Sequence, residues 1–154
     1  MRLYLAGPLF SEAERAWLDL LAARLRAEGF DPFVPHEHFA DLDELSPAEV
    51  FRVDVAGVRA AEALVAWIDG PMCDDGTAVE VGIFAQLCAN DPARYRGIVG
   101  IATDLRLERR RGNVVGDGTN LFLHGAILAS GGALCWSVDE AVAALQRLAA
   151  GSPA

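Results

Sequence analysis

The chain has 154 residues, 53% of them hydrophobic, which suits a single domain able to bury a substantial core. Its net charge of -9 and pI near 4.7 exclude a protein that grips a phosphate backbone through a basic face, leaving small molecules or proteins as partners. All thirteen basic residues are arginine, so Schiff-base chemistry on a lysine side chain and phosphate loops built on lysine are excluded too.

In chain order, residues 2–7 form a short apolar run closed by Gly-Pro and read as a buried strand. A helix follows over 11–29, with Ser11 as N-cap and Gly29 as its stop. Residues 30–35 give a second strand, and the acidic stretch 36–45 reads as a loop over one edge. The next helix opens at Ser46, with Pro47 in its first position and Glu49 in the capping-box place. Residues 63–68 are a third strand, ended by Asp69-Gly70-Pro71. A helix running to about Ala89, a strand over 97–103, a short helix over 119–130 and a last strand and helix over 133–150 complete the series.

Strand and helix alternate throughout, which predicts a single α/β domain over 1–150: a doubly wound, five-stranded parallel sheet covered on both faces, with 151–154 as a loose tail. The common order for five such strands is 2-1-3-4-5, and ligands then bind beyond the carboxyl ends of strands 1 and 3. The segments that reach this crevice are "AGPLF", with Gly7 and Phe10, and "DGPMCDDGTAVE", with Asp69, Asp74, Gly76 and Glu80. Cys73, Cys88 and Cys135 are odd in number and widely spaced, which fits reduced thiols in a cytoplasmic protein. The apolar start is too short for a signal peptide, and no stretch approaches a membrane span.

Glu80 lies among small and apolar neighbours. A helix starting near Gly76 places it in about the first turn, where the helix dipole favours the ionised form while burial opposes it. A charged, partly buried carboxylate can act as nucleophile or base, although first-turn glutamates also serve the dipole alone. Asp69, Asp74 and Asp75 suit turns and caps, or could join Glu80 around a divalent metal, yet no Asp-x-Asp-x-Asp-Gly loop is present. Tyr4 belongs to the core, or its hydroxyl orients a carboxylate across the crevice. Asp54, flanked by Val53 and Val55, reads as solvent-facing, and Asn120 as a helix cap. His36, His38 and His124 belong to no GxSxG or HExxH motif, the three tryptophans read as core or interface, and "ERRRG" (108–112) reads as a solvated loop.

Taken together, "YLAGPLF", "FRVDVAGVRAAEALVAWIDG", "DDGTAVEVGIFAQ", "TDLR" and "TNLFLHGAI" resemble the nucleoside 2-deoxyribosyltransferase family in content and order. The resemblance implies a flavodoxin-like, Rossmann-like sheet and a transferase of nucleoside salvage that moves a 2-deoxyribosyl group between nucleobases, with no metal or organic cofactor. It implies Glu80 as nucleophile, Tyr4 as the residue that positions it, Asp54 and Asp74 as base contacts, and Asn120 reaching a neighbouring subunit's sugar in a homo-oligomer. A covalent glycosyl-glutamate intermediate and retention at the anomeric carbon follow from such a nucleophile, and Asp74 could protonate the leaving base. Relatives that hydrolyse nucleoside 5'-monophosphates carry phosphate donors after strand 1. This chain has Pro8, Leu9 and Phe10 there, with Phe10 suited to stack on a base, while Ser11 and Arg15 keep a phosphate possible. A hydrolase and a non-catalytic nucleotide sensor are the alternatives.

Overall fold

In this computed structural model, which describes residues 1–39, 46–104, 119–152 and 154, the strands are β1 (Arg2–Ala6), β2 (Asp31–Phe33), β3 (Ala63–Trp67), β4 (Ile98–Ile101) and β5 (Ala133–Cys135). They pair in parallel in the order β2-β1-β3-β4-β5, so the winding reverses between β1 and β3 as the alternating pattern predicts. The helices are α1 (Glu12–Ala27), α2 (Pro35–Phe39), α3 (Pro47–Ala60), α4 (Asp75–Asn90), α5 (Leu121–Ala129) and α6 (Val138–Ala149).

Side chains alternate across each strand, and this divides the core in two. Leu3, Leu5, Val65 and Val99 pack on one face against α1 and α6, whereas Tyr4, Ala6, Leu64 and Ile98 pack on the other against α3, α4 and α5. The protein is therefore a doubly wound α/β sheet with helices on both faces.

The helix starts follow their caps. Ser11 and Glu14 form a reciprocal capping box, with the Ser11 N–H donating to Glu14 at 2.6 Å and the Glu14 N–H to the Ser11 hydroxyl at 3.2 Å. At α3 only half of the expected box forms. The Ser46 hydroxyl accepts from the Glu49 N–H, but the Glu49 carboxylate pairs forward with Arg52, the stronger charge-assisted partner. Gly29 takes φ of +83° after α1, as its role as a stop requires.

One expectation needs correction. Residues 36–39, expected to open a loop, form α2 together with Pro35, which was expected to end the second strand, and α2 is tied to α1 by Arg26–Glu37 and His36–Asp19 at 2.9 and 2.8 Å. Near the chain end, the Ala154 N–H donates to the Gly131 carbonyl at 3.2 Å and the Ser152 N–H to the Arg147 carbonyl at 3.0 Å. Residues 40–45 of the expected loop and the "ERRRG" segment lie outside the described residues. Among the described residues, no helix is long and apolar enough to cross a membrane.

Candidate active site

Tyr4 is fully buried on β1, and its hydroxyl donates to Oε1 of Glu80 on α4 at 2.5 Å. Both readings of Tyr4 hold, for the ring is core and the hydroxyl holds a carboxylate. Burial, and then the Glu80 carboxylate, raise the Tyr4 pKa well above the ordinary tyrosine value, so this hydroxyl stays a donor.

Glu80 departs from its sequence reading in two ways. Asp74 caps α4, accepting from the Thr77 N–H at 2.9 Å, so the helix begins at Asp75 and Glu80 falls in the second turn. The free N–H groups of the helix end do not reach that far, and the dipole acts on it weakly. Burial instead pushes the Glu80 carboxyl from 4.5 up to about 8; the Tyr4 hydrogen bond pulls it down, and the charges of Asp54 and Asp74 raise it further. In the free protein burial thus favours the neutral form of Glu80 and outweighs the weak pull of the helix dipole.

Asp54 lies on α3, half-buried rather than facing solvent, and its Oδ1 is buried with no hydrogen-bond partner among the described residues. Burial raises its pKa, opposed by the nearby Tyr4 hydroxyl, although that hydroxyl's hydrogen bond goes to Glu80. Val50, Phe51 and Val55 of α3 face Gly76, Val79 and Ile83 of α4 across a cleft of about 570 Å³, into which Asp54 and Glu80 open. This site therefore offers two acids of raised pKa in an apolar cleft, one held by a phenol and one with an unmet acceptor. Such a pair can divide nucleophilic and proton-transfer work.

The other expected residues sort differently. Asp74 accepts at Oδ2 from both the N–H and the hydroxyl of Thr77, at 2.9 and 3.0 Å, so it is committed as a cap. Asp69 is consumed within the chain, taking the Trp67 indole N–H at 2.8 Å, the backbone N–H groups of Thr103 and Asp104 at 2.6 and 2.9 Å, and the Thr103 hydroxyl. It braces the ends of β3 and β4 against each other. Gly7 is buried where an added Cβ would lie 3.0 Å from Leu18, so the turn after β1 can lie close on α1. Phe10 is 77% exposed beyond that turn. Asn120 caps α5, its side-chain oxygen accepting from Phe122 and Leu123 at 2.9 and 3.3 Å. Among the described residues, no group of three or more His, Cys, Asp or Glu side chains is arranged to hold a metal.

Sequence reasoning missed Phe33, whose ring stacks on Tyr4 at 5.5 Å, and Thr103, which locks Asp69. A glycine within the last turn of α3 at Gly57, where Phe33 presses, was the available signal for the first. Cys73 adjoins the acids, and burial pushes its thiol up to about 11, which favours the protonated thiol near neutrality.

No curated protein matches the chain. Among solved structures, a conserved protein from Enterococcus faecalis V583 is 24% identical, with a TM-score of 0.77 over 96% of this chain and 98% of its own. The 2-deoxyribosyltransferase of Bacillus psychrosaccharolyticus is 20% identical, with a TM-score of 0.66 over 91% of this chain and 89% of its own. The CMP N-glycosidase of Clostridium botulinum is 16% identical, with a TM-score of 0.57 over 95% and 98%. At these identities the likeness is one of fold. The nucleoside 2-deoxyribosyltransferase family model, however, matches residues 3–92, the segment from β1 through α4 that carries Tyr4, Asp54, Asp74 and Glu80, and by that match the chain belongs to the nucleoside 2-deoxyribosyltransferase family.

Proposed function

We propose that the protein transfers a 2-deoxyribosyl group from one nucleobase to another through a covalent bond to Glu80. The observation that carries this reading is the 2.5 Å hydrogen bond by which buried Tyr4 aims one oxygen of Glu80 beside an apolar cleft. The ionised Glu80 attacks the anomeric carbon from the face opposite the base; the carbon–nitrogen bond breaks and its electron pair leaves with the base. An acceptor base then attacks the same carbon from the vacated face, the glutamyl ester bond breaks, and configuration is retained. Glu80 is released as a carboxylate, and the acceptor nitrogen returns its proton to the acid that protonated the leaving base, closing the proton balance.

The leaving base needs a proton, and we assign it to Asp54 rather than Asp74. Asp54 has a raised pKa and an unmet acceptor in the cleft, whereas Asp74 spends its oxygen on Thr77. In this scheme Asp69 braces the loops, and Gly76 gives the base room along the wall of the cleft. Phe10 stacks on a base. Asn120 serves the sugar of a second subunit.

An unphosphorylated nucleoside suits the turn after β1. Its candidate phosphate ligands are engaged, with one Arg15 nitrogen donating to the Leu9 and Phe10 carbonyls and Ser11 closed in its capping box. A homo-oligomer is part of the proposal, because Phe51 and Val79 at the cleft are 60% and 57% exposed, and Leu121 and Phe122 on α5 are 63% and 89% exposed. Such side chains are more stable covered by a second copy. The reaction belongs to nucleoside salvage in the cytoplasm.

Incubation with deoxyinosine and free adenine, followed by chromatography beside a no-acceptor control, tests the reading. Deoxyadenosine and hypoxanthine formed together support transfer. Hypoxanthine with free deoxyribose identifies water as the acceptor, and no consumption of any deoxynucleoside contradicts an enzyme of this class.

A further inference from the structure

Gly57 lies in the last turn of α3, its carbonyl accepting from the N–H of the C-cap Ala61, inside a helix that glycine favours little. A Cβ there would lie 2.8, 2.9 and 3.0 Å from three ring carbons of Phe33. Phe33 ends β2 opposite Tyr4 in the strand register, and the two rings stack at 5.5 Å with their planes 14° apart. His38 of α2 lies 4.0 Å from the Phe33 ring and 9° from its plane. Three nearly parallel rings thus run from exposed His38 to buried Tyr4. The middle one bears on the α3 backbone one turn beyond Asp54.

A cleft of about 400 Å³, bordered by Phe33, His38 and Gly57, adjoins the same ring. Core packing does not enclose Phe33 on that side, so its placement depends on the stack and on the bare glycine.

We infer that Phe33 is a positioning residue: held between Tyr4 and the backbone of Gly57, its ring directs the Tyr4 hydroxyl at Glu80. The inference rests on Glu80 being the reactive carboxylate, but its first readout needs no turnover. Protein labelled with carboxyl-¹³C glutamate reports the Glu80 titration by NMR, with the resonance identified by its loss in Glu80→Gln.

Phe33→Leu is expected to move the Glu80 midpoint upward by roughly 0.5 pH, because the Tyr4 hydrogen bond that holds it down is weakened. Phe33→Tyr, which keeps a flat ring, is expected to restore the wild-type midpoint. In the base-exchange assay Phe33→Leu should lose activity by about tenfold, in kcat rather than KM, with its acid limb following the NMR midpoint. A Phe33→Leu protein that melts lower yet titrates Glu80 as wild type does would overturn the inference. Should that variant fail to fold, Gly57→Ala, whose methyl must displace the Phe33 ring, takes its place, and an unmoved midpoint there overturns the inference equally. Wild-type protein that exchanges no base defeats the proposed function, while the titration still decides the role of Phe33.

Discussion

Burial, two neighbouring carboxylates and one tyrosine hydroxyl act on the same proton at Glu80. If that carboxylate is the nucleophile, kcat/KM rises with pH and levels off above the free-protein midpoint of about 8. Tyr4→Phe removes the hydrogen bond that pulls the value down and should move this limb higher, as a pH–rate profile would show. Glu80→Gln should abolish exchange, by roughly a thousandfold or more, with the fold kept. The same substitution also carries a stability signature. With a folded pKa of about 8 against an ordinary 4.5, the folded chain holds a proton that the unfolded chain has released, so stability falls as pH climbs between these values. Glu80→Gln removes that loss and is expected to melt above the wild type at about pH 9, the gap closing toward pH 4.5. Strand order pointed to the helix after β3 and the resemblance to Tyr4, but the cleft that Glu80 opens into is walled by α3 as well as α4, which strand order alone did not indicate. The upward push on the Glu80 pKa was not legible, because it comes first from burial, which the local pattern does not show, and then from the charge of Asp54, which that pattern put in solvent.

At the scale of the element, α4 depends on Asp74 for its start and, in the sequence reading, for acid chemistry. The two roles separate experimentally. Asp74→Ala should lower stability by about 1 kcal/mol, roughly 2–4 °C in Tm for a chain of this size, because the Thr77 N–H loses its acceptor. Asp74→Ser keeps a good cap, and thermal melts should place it close to wild type. If Asp54 supplies the proton, Asp74→Ser also keeps most of the activity, whereas Asp54→Asn loses it most strongly for poor leaving bases. Element boundaries were readable wherever a cap or a glycine marked them, as at Ser11, Ser46 and Gly29. The helix at Pro35–Phe39 was missed because its acidic and histidine-rich sequence lacks periodicity; it is tied to α1 instead by the Arg26–Glu37 ion pair and the His36–Asp19 hydrogen bond.

For the whole molecule, the alternation of apolar runs with capped helices carried the topology, since parallel strands need crossovers and the crossovers need two covered faces. The exposed side chains of Phe51 and Phe122 are expected to be covered in solution, and sedimentation should report an assembly larger than one chain. Phe51→Glu is expected to dissociate that assembly, and exchange activity should fall with it if the site is shared between subunits. The most direct test of the central claim is mass spectrometry of protein acid-quenched during turnover of a deoxynucleoside. One 2-deoxyribosyl group on the peptide containing Glu80, absent in Glu80→Gln, is the predicted result; rapid exchange with no adduct, or with the adduct on another residue, would contradict it.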